Sequence, residues 1–165
     1  MTLIEEKQVA VQLNEIYANR LDALAKGGEM NRNHLMLFIV NIWLNVLKQE
    51  AFPGMFYILN LLRVRVLQME GHFPYEHEFT GSKLPVKSFP IKLSETTIFE
   101  LGAYANHNHI TKHNLLKTMI IVGIEELEEI TGGKMFQLGT VEPLLHRLFS
   151  NLMKKGPQVF KAFCK

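Results

Sequence analysis

The sequence predicts a mainly α fold built on a two-stranded antiparallel ribbon, with additional cover helices. Three observations lead there. Two short stretches alternate apolar and polar residues, VAVQLN at Val9–Asn14 and FPIKLS at Phe89–Ser94, and they lie eighty residues apart. Each stretch is followed at once by a helix-capping residue and a helical pattern. Each of those helices leads across a short break into a second one, more apolar than a single buried stripe requires.

A lone short strand has no partner for its backbone N–H and C=O groups. A shift of eighty supplies one. Val9, Val11 and Leu13 then match Phe89, Ile91 and Leu93, and Asn14-Glu15 matches Ser94-Glu95. The match continues through Leu21/Leu101, Ala23/Ala103, Ala25/Ala105, Leu35/Leu115 and Leu47/Leu127. The two strands are therefore expected to pair with each other, with their apolar side chains on one face over the helices.

Each element follows in order. The first copy covers 8–50: Asn14 caps a helix over 15–27 whose apolar residues are Ile16, Tyr17, Leu21 and Leu24. Gly27-Gly28 breaks it, and Asn31 caps a second helix over 32–49. A connection over 51–87 holds a helix at about 54–69, opened by Pro53-Gly54, then a loop rich in glycine and proline. The second copy covers 88–130: Ser94 caps a helix over 95–107 with Ile98, Leu101, Tyr104 and Ala105 inward. His107-Asn108-His109 breaks it, and Thr111 caps a helix over 112–130. In 131–165 a loop, TGGKMFQLGT, precedes a helix from about Val141 to Lys155 with Leu144, Leu145, Leu148 and Leu152 spaced for burial. The helices at 54–69 and 141–155 are expected to cover the over-apolar second helices, making one compact domain of residues 1–165.

Composition narrows the function. Apolar residues make up 47% and charged residues 21%, the balance of a globular chain. A formal charge of +2 means that any basic surface is local. The one cysteine, Cys164, forms no internal disulfide, which suits a reducing cytoplasm. MTLIEEKQ lacks the pattern of a signal peptide. The apolar run Leu35–Leu47 carries Asn41 and Asn45 and is too short to span a bilayer; Arg63 and Arg65 argue the same for Met55–Leu67. No membrane partner and a cytoplasmic location are expected.

Chemistry-bearing clusters are sparse. His107, His109 and His113, with His34 at a similar place in the first copy, lack a cysteine or carboxylate to complete a ligand set. Asn106, Asn108 and Asn114 beside them are poor ligands for zinc or nickel. His72 and His77, near Glu76 and Glu78, read as loop surface. TGGK at Thr131–Lys134 lacks the spacing of a phosphate-binding loop. No metal, no cofactor and no enzymatic activity are expected.

The segment FPIKLSETTIFELGAYANHNHITKHNLLKTMIIVGIEEL resembles the ribbon-helix-helix DNA-binding superfamily of the Arc and MetJ type. The likeness rests on the strand alternation, the Ser94-Glu95-Thr96 helix start, the spaced Leu101 and Tyr104, and Ile110-Thr111-Lys112 opening the second helix. Both copies together cover about 85 of the 165 residues. Such proteins are normally homodimers whose two strands enter the major groove. The resemblance therefore implies a pseudo-dimer within one chain, as two tandem copies. It implies base contacts from Gln8, Gln12, Ser88 and Lys92, and phosphate contacts from Asn31, Arg32, Thr111 and Lys112. The acidic run Glu125, Glu126, Glu128 and Glu129 would then point away from DNA. The implied function is sequence-specific binding of double-stranded DNA, as a transcriptional repressor or a plasmid- or phage-type accessory factor. The alternative is a protein–protein interaction module, antitoxin-like or an assembly factor, that keeps the fold without reading bases. Pro90 and the low net charge favour the alternative, while Arg32, Lys112 and Lys92 favour DNA; neither Ala10 nor Pro90 offers a side-chain donor to a base. The cover helices offer a further surface for a homo-oligomer.

Overall fold

A computed structural model describes residues 5–49, 86–107 and 111–154. The described residues form strand β1 (Glu6–Asn14), helices α1 (Glu15–Gly27) and α2 (Arg32–Gln49), strand β2 (Val86–Ser94), and helices α3 (Glu95–His107), α4 (Lys112–Thr131) and α5 (Leu138–Lys154). The fold is mainly helical with one two-stranded antiparallel sheet. The helix expected at 54–69, His72, His77, His109 and Cys164 lie outside the described residues.

The two strands pair along their full length, from Glu6 opposite Ser94 to Asn14 opposite Val86. Val11, Leu13, Phe89, Ile91 and Leu93 are buried, while the alternate side chains are exposed through most of the ribbon. A two-stranded ribbon is marginal in water, so its stability comes from laying this apolar face on the helices. The ladder continues past Pro90, which stands opposite Ala10, without a bulge. Proline is tolerated there without loss when its nitrogen faces the open side of the ribbon.

The register has a simple internal relation. Add eighty to a β1 residue and subtract eighty from its partner, and another pair of the same ladder results: Gln8–Lys92 becomes Gln12–Ser88. The pair that maps onto itself is Ala10–Pro90. The same offset of eighty relates the first residues of β1 and β2, of α1 and α3, and of α2 and α4.

All four helix starts after a strand or break are capped by the expected residues. Asn14 Oδ1 accepts from Tyr17 N at 2.9 Å, and Ser94 Oγ from Thr97 N at 3.2 Å. Asn31 Oδ1 accepts from His34 N at 2.7 Å, and Thr111 Oγ1 from Asn114 N at 3.1 Å. Each satisfies one of the orphan donors of a first turn. Asn31→Ala or Thr111→Ala should each cost about 1 kcal/mol; a urea midpoint unchanged in both would show that the caps are idle.

One core serves all the described elements. Helix α4 buries Leu115, Leu116, Met119, Ile120, Ile121, Val122, Ile124 and Leu127, residues spread around most of its circumference. Helix α2 is similar, and Trp43 is fully buried on it. Helix α5 packs on both of them. Its Phe149 ring stacks on the Trp43 indole with centroids 3.9 Å apart and planes 15° from parallel.

Three sequence expectations change here. Helix α5 starts at Leu138 rather than Val141, because the Gln137 carbonyl already accepts from Thr140 N and Val141 N. Its inward residues are Val141, Leu145 and Phe149, at spacings of four, so Leu144 is left exposed. Likewise Ile16, expected on the inward face of α1, is exposed; the buried set is Tyr17, Ala18, Leu21, Leu24 and Ala25.

The loop between α4 and α5 is fixed to the far end of α1. Gly132 ends α4 in the left-handed conformation, with φ at 60°. Phe136 N then donates to the Gly27 carbonyl at 3.1 Å, and the Phe136 ring lies against Gly28, where a Cβ would meet it at 2.8 Å. Among the described residues no helix is long and apolar enough to cross a membrane.

Candidate nucleic-acid interface

The four residues expected to read bases share one surface. Gln8, Gln12, Ser88 and Lys92 are all exposed on the face of the ribbon turned away from the core. They form two cross-strand pairs, Gln8 opposite Lys92 and Gln12 opposite Ser88, on either side of Ala10–Pro90. Folding does not require these side chains, since the core touches the opposite face. Two glutamine amides and an ammonium can donate to purine acceptors, and the amides can also accept. At the centre, Ala10 and Pro90 offer only apolar contact. Glu6 also has outward parity on β1 and is exposed, so the ridge carries one carboxylate beside the Lys92 cation.

The four residues expected at phosphates sit at the starts of α2 and α4, as the capping bonds show, but the two starts differ. Arg32 is committed to the protein. Its Nε donates to Asp22 Oδ1 at 2.6 Å, and its guanidinium carbon lies 4.1 Å from the centre of the Phe89 ring. At the positions eighty residues on, Gly102 stands for Asp22 and Lys112 for Arg32. The Lys112 stem lies over Gly102, with Cδ 3.3 Å from where a Cβ would be. Among the described residues Lys112 has no ion-pair partner.

Lys112 is joined by residues not singled out in the sequence. A groove of about 290 Å³ between β1 and α4 is lined by Ala10, Gln12, His113, Asn114 and Lys117. Lys112 and His113 line an adjoining groove with Gln8, Val9 and Ala10. The positions matching His113, Asn114 and Lys117 in α2 are Asn33, His34 and Leu37, which carry no permanent cation. Basic side chains therefore gather along the α4 side of the ribbon. Lys117 lies two turns from the Thr111 cap, and only the fold brings it beside Gln12.

Lys7, at the ribbon end, is cationic but neutralised. It pairs with Glu95 at 2.8 Å, and this hydrogen bond, with the attraction of the same carboxylate, raises its pKa above the usual lysine value. Of the histidine cluster, His113 is exposed on α4.

No protein-family model, no curated protein and no solved structure matches this chain. The functional reading therefore rests on this surface itself.

Proposed function

We propose that the chain is two diverged ribbon-helix-helix copies in one polypeptide, and that it binds double-stranded DNA with the outer face of the ribbon in the major groove. The observation that carries this reading is the ribbon ridge: Gln8, Gln12, Ser88 and Lys92 exposed in two cross-strand pairs, between the capped starts of α2 and α4. A ribbon of this width fits the groove, and helix starts on either side present free N–H groups to phosphates. Asn31 and Thr111 act there as caps that hold those N–H groups in place. Lys112 is the open cation, and Arg32 is the compensated one. Repression or an accessory role on a plasmid- or phage-type element is the biological setting this proposal takes from the family resemblance.

The two sides of the ridge carry different residues, so the preferred duplex site is asymmetric. Selection from a random duplex pool should return a non-palindromic sequence; a clean palindrome would sink that part. Binding itself should weaken steeply with salt, with a slope near −0.9 per phosphate neutralised. Replacing Lys112 with alanine should flatten that slope by roughly one phosphate's worth, or ~0.9, whereas replacing Lys92 should relax the choice of base beside it. Absence of binding at low salt would overturn the reading.

A second reading has its own support. Ala10–Pro90 at the centre, and Glu6 offsetting Lys92, make a ridge that is nearly neutral and apolar in the middle. Such a ridge suits a protein partner better than a polyanion. A partner captured through the ribbon, with no duplex binding at low salt, would decide for it.

A further inference from the structure

Among the described residues, three ion pairs join the first half of the chain to the second. Lys7–Glu95 lies at the exposed ribbon end and has no counterpart at the offset of eighty among these residues, while the other two obey that offset with their signs exchanged. Arg20 of α1 donates to Glu128 of α4 through Nε at 2.7 Å. The residues eighty positions away from these two are Glu100 of α3 and Lys48 of α2, and they pair at 2.9 Å. The contact is thus made twice, cation on α1 in one case and on α2 in the other.

Like halves would not make it. If residues 6–49 paired with a second copy of themselves in the same geometry, Arg20 would face Lys48. If 86–131 did so, Glu100 would face Glu128. Both pairings place like charges together; Arg20, Glu100 and Glu128 are part-buried and Lys48 is exposed.

A steric feature agrees, independently of charge. A Cβ on Gly123 of α4 would run into Ile39 Cγ2 of α2, and would lie 3.1 Å from both Cγ1 and Cδ1. Ile39 is fully buried and β-branched, so it cannot swing away cheaply. The residue matching Gly123 in the first half is Trp43. Pairing the first half with itself would put an indole where a methyl group does not fit.

We infer that the interface between the halves is coded for unlike pairing: each half fits the other half, from its own chain or from a second copy, and rejects its own kind. Charge exchange supplies one discriminating element, and the glycine facing Ile39 supplies another. Such rejecting contacts give specificity by raising the energy of the wrong partner. The inference rests on the two-copy reading of the chain and is separate from DNA binding.

The test keeps the full chain. In the variant Lys48→Glu with Glu128→Lys, both unlike contacts become like-charged, while both like pairings become complementary. In the variant Arg20→Glu, Lys48→Glu, Glu100→Lys, Glu128→Lys, every charge is inverted and the unlike contacts are complementary again. Urea unfolding at low salt should show the unfolding constant of the first variant raised roughly tenfold, with a smaller penalty in about 0.5 M salt. The fourfold variant should return to within about twofold of the parent chain. Light scattering should show the first variant gaining self-associated species with concentration, and the fourfold variant not. A first variant as stable and as monodisperse as the parent would overturn the inference. So would a fourfold variant no better than the first. Failure to bind DNA would leave these midpoints unchanged and would count only against the proposed function.

Discussion

Replacing Trp43 with alanine is expected to lower stability by about 3–5 kcal/mol, the range for removing a buried large aromatic. Three contacts explain the size. The indole is fully buried in the common core. Its ring stacks on Phe149, which fastens α5 to α2. Its Nε1–H donates to the Met119 carbonyl at 3.1 Å, tying α2 to α4. Helices α2, α4 and α5 therefore meet at one side chain, and the cavity left by alanine has little freedom to collapse between them. Circular dichroism followed through a urea titration is the suitable measurement, because Trp43 is the only tryptophan and its own fluorescence is lost in the variant. Trp43→Phe keeps a six-membered ring to stack on Phe149 and loses the five-membered ring with its donor, so it should lose less than alanine does. A loss under about 1 kcal/mol for the alanine variant would contradict a core keyed on this residue.

Replacing Gly123 with valine is the second large effect. Glycine in a helix interior ordinarily costs roughly 0.5–1 kcal/mol, so a larger residue would normally be neutral or helpful. Here the new side chain must displace Ile39, and overpacking of that kind costs about 1–3 kcal/mol or more. The sign is therefore opposite to what helix propensity alone predicts. A double-mutant cycle with Ile39→Ala makes the argument specific. Ile39→Ala alone should cost about 2–5 kcal/mol. Combined with Gly123→Val it should cost clearly less than the sum, because each change relieves the other. Strict additivity would mean that the two positions do not press on one another.

Much of this fold is legible in the sequence because its signals are local. Alternation at Val9–Leu13 and Phe89–Leu93 reflects a one-sided ribbon, and the structure pairs those strands. Asn14, Asn31, Ser94 and Thr111 are capping residues placed just before apolar periodicity, and the helix starts follow them to the residue. Where signals are weaker, boundaries move. Near α5 the run from Gly139 to Pro143 holds two poor helix formers, which hides the earlier start at Leu138. Pro143 cannot donate to the carbonyl four residues before it, yet the helix continues because flanking residues pack on α2 and α4. Leu144 looks inward by type alone. Its angle on the helix is set by Val141, Leu145 and Phe149 instead.

The candidate site was legible in part, for a related reason. Parity along a strand tells which residues face outward, so Gln8, Gln12, Ser88 and Lys92 emerge from the sequence. Parity also places Glu6 on that ridge, although its sign works against a polyanion. The partners of the flanking cations are another matter. Asp22 reaches Arg32 across the turn between α1 and α2, and Lys117 reaches the ribbon from the second turn of α4. Neither relation has a period or a motif. Comparing Asp22 with Gly102 across the offset of eighty would have shown that the two helix starts differ in charge.

Ala10 opposite Pro90 has a consequence for how such a surface can change. In a ribbon made from two copies of one strand, the central pair joins a residue to itself, and any mutation there alters the site twice. In this chain the centre holds two different residues from two distant codons. A single base change can alter one side of the ridge and leave the other untouched. Variation can therefore move in half-steps: one half keeps a contact while the other drifts to a new one.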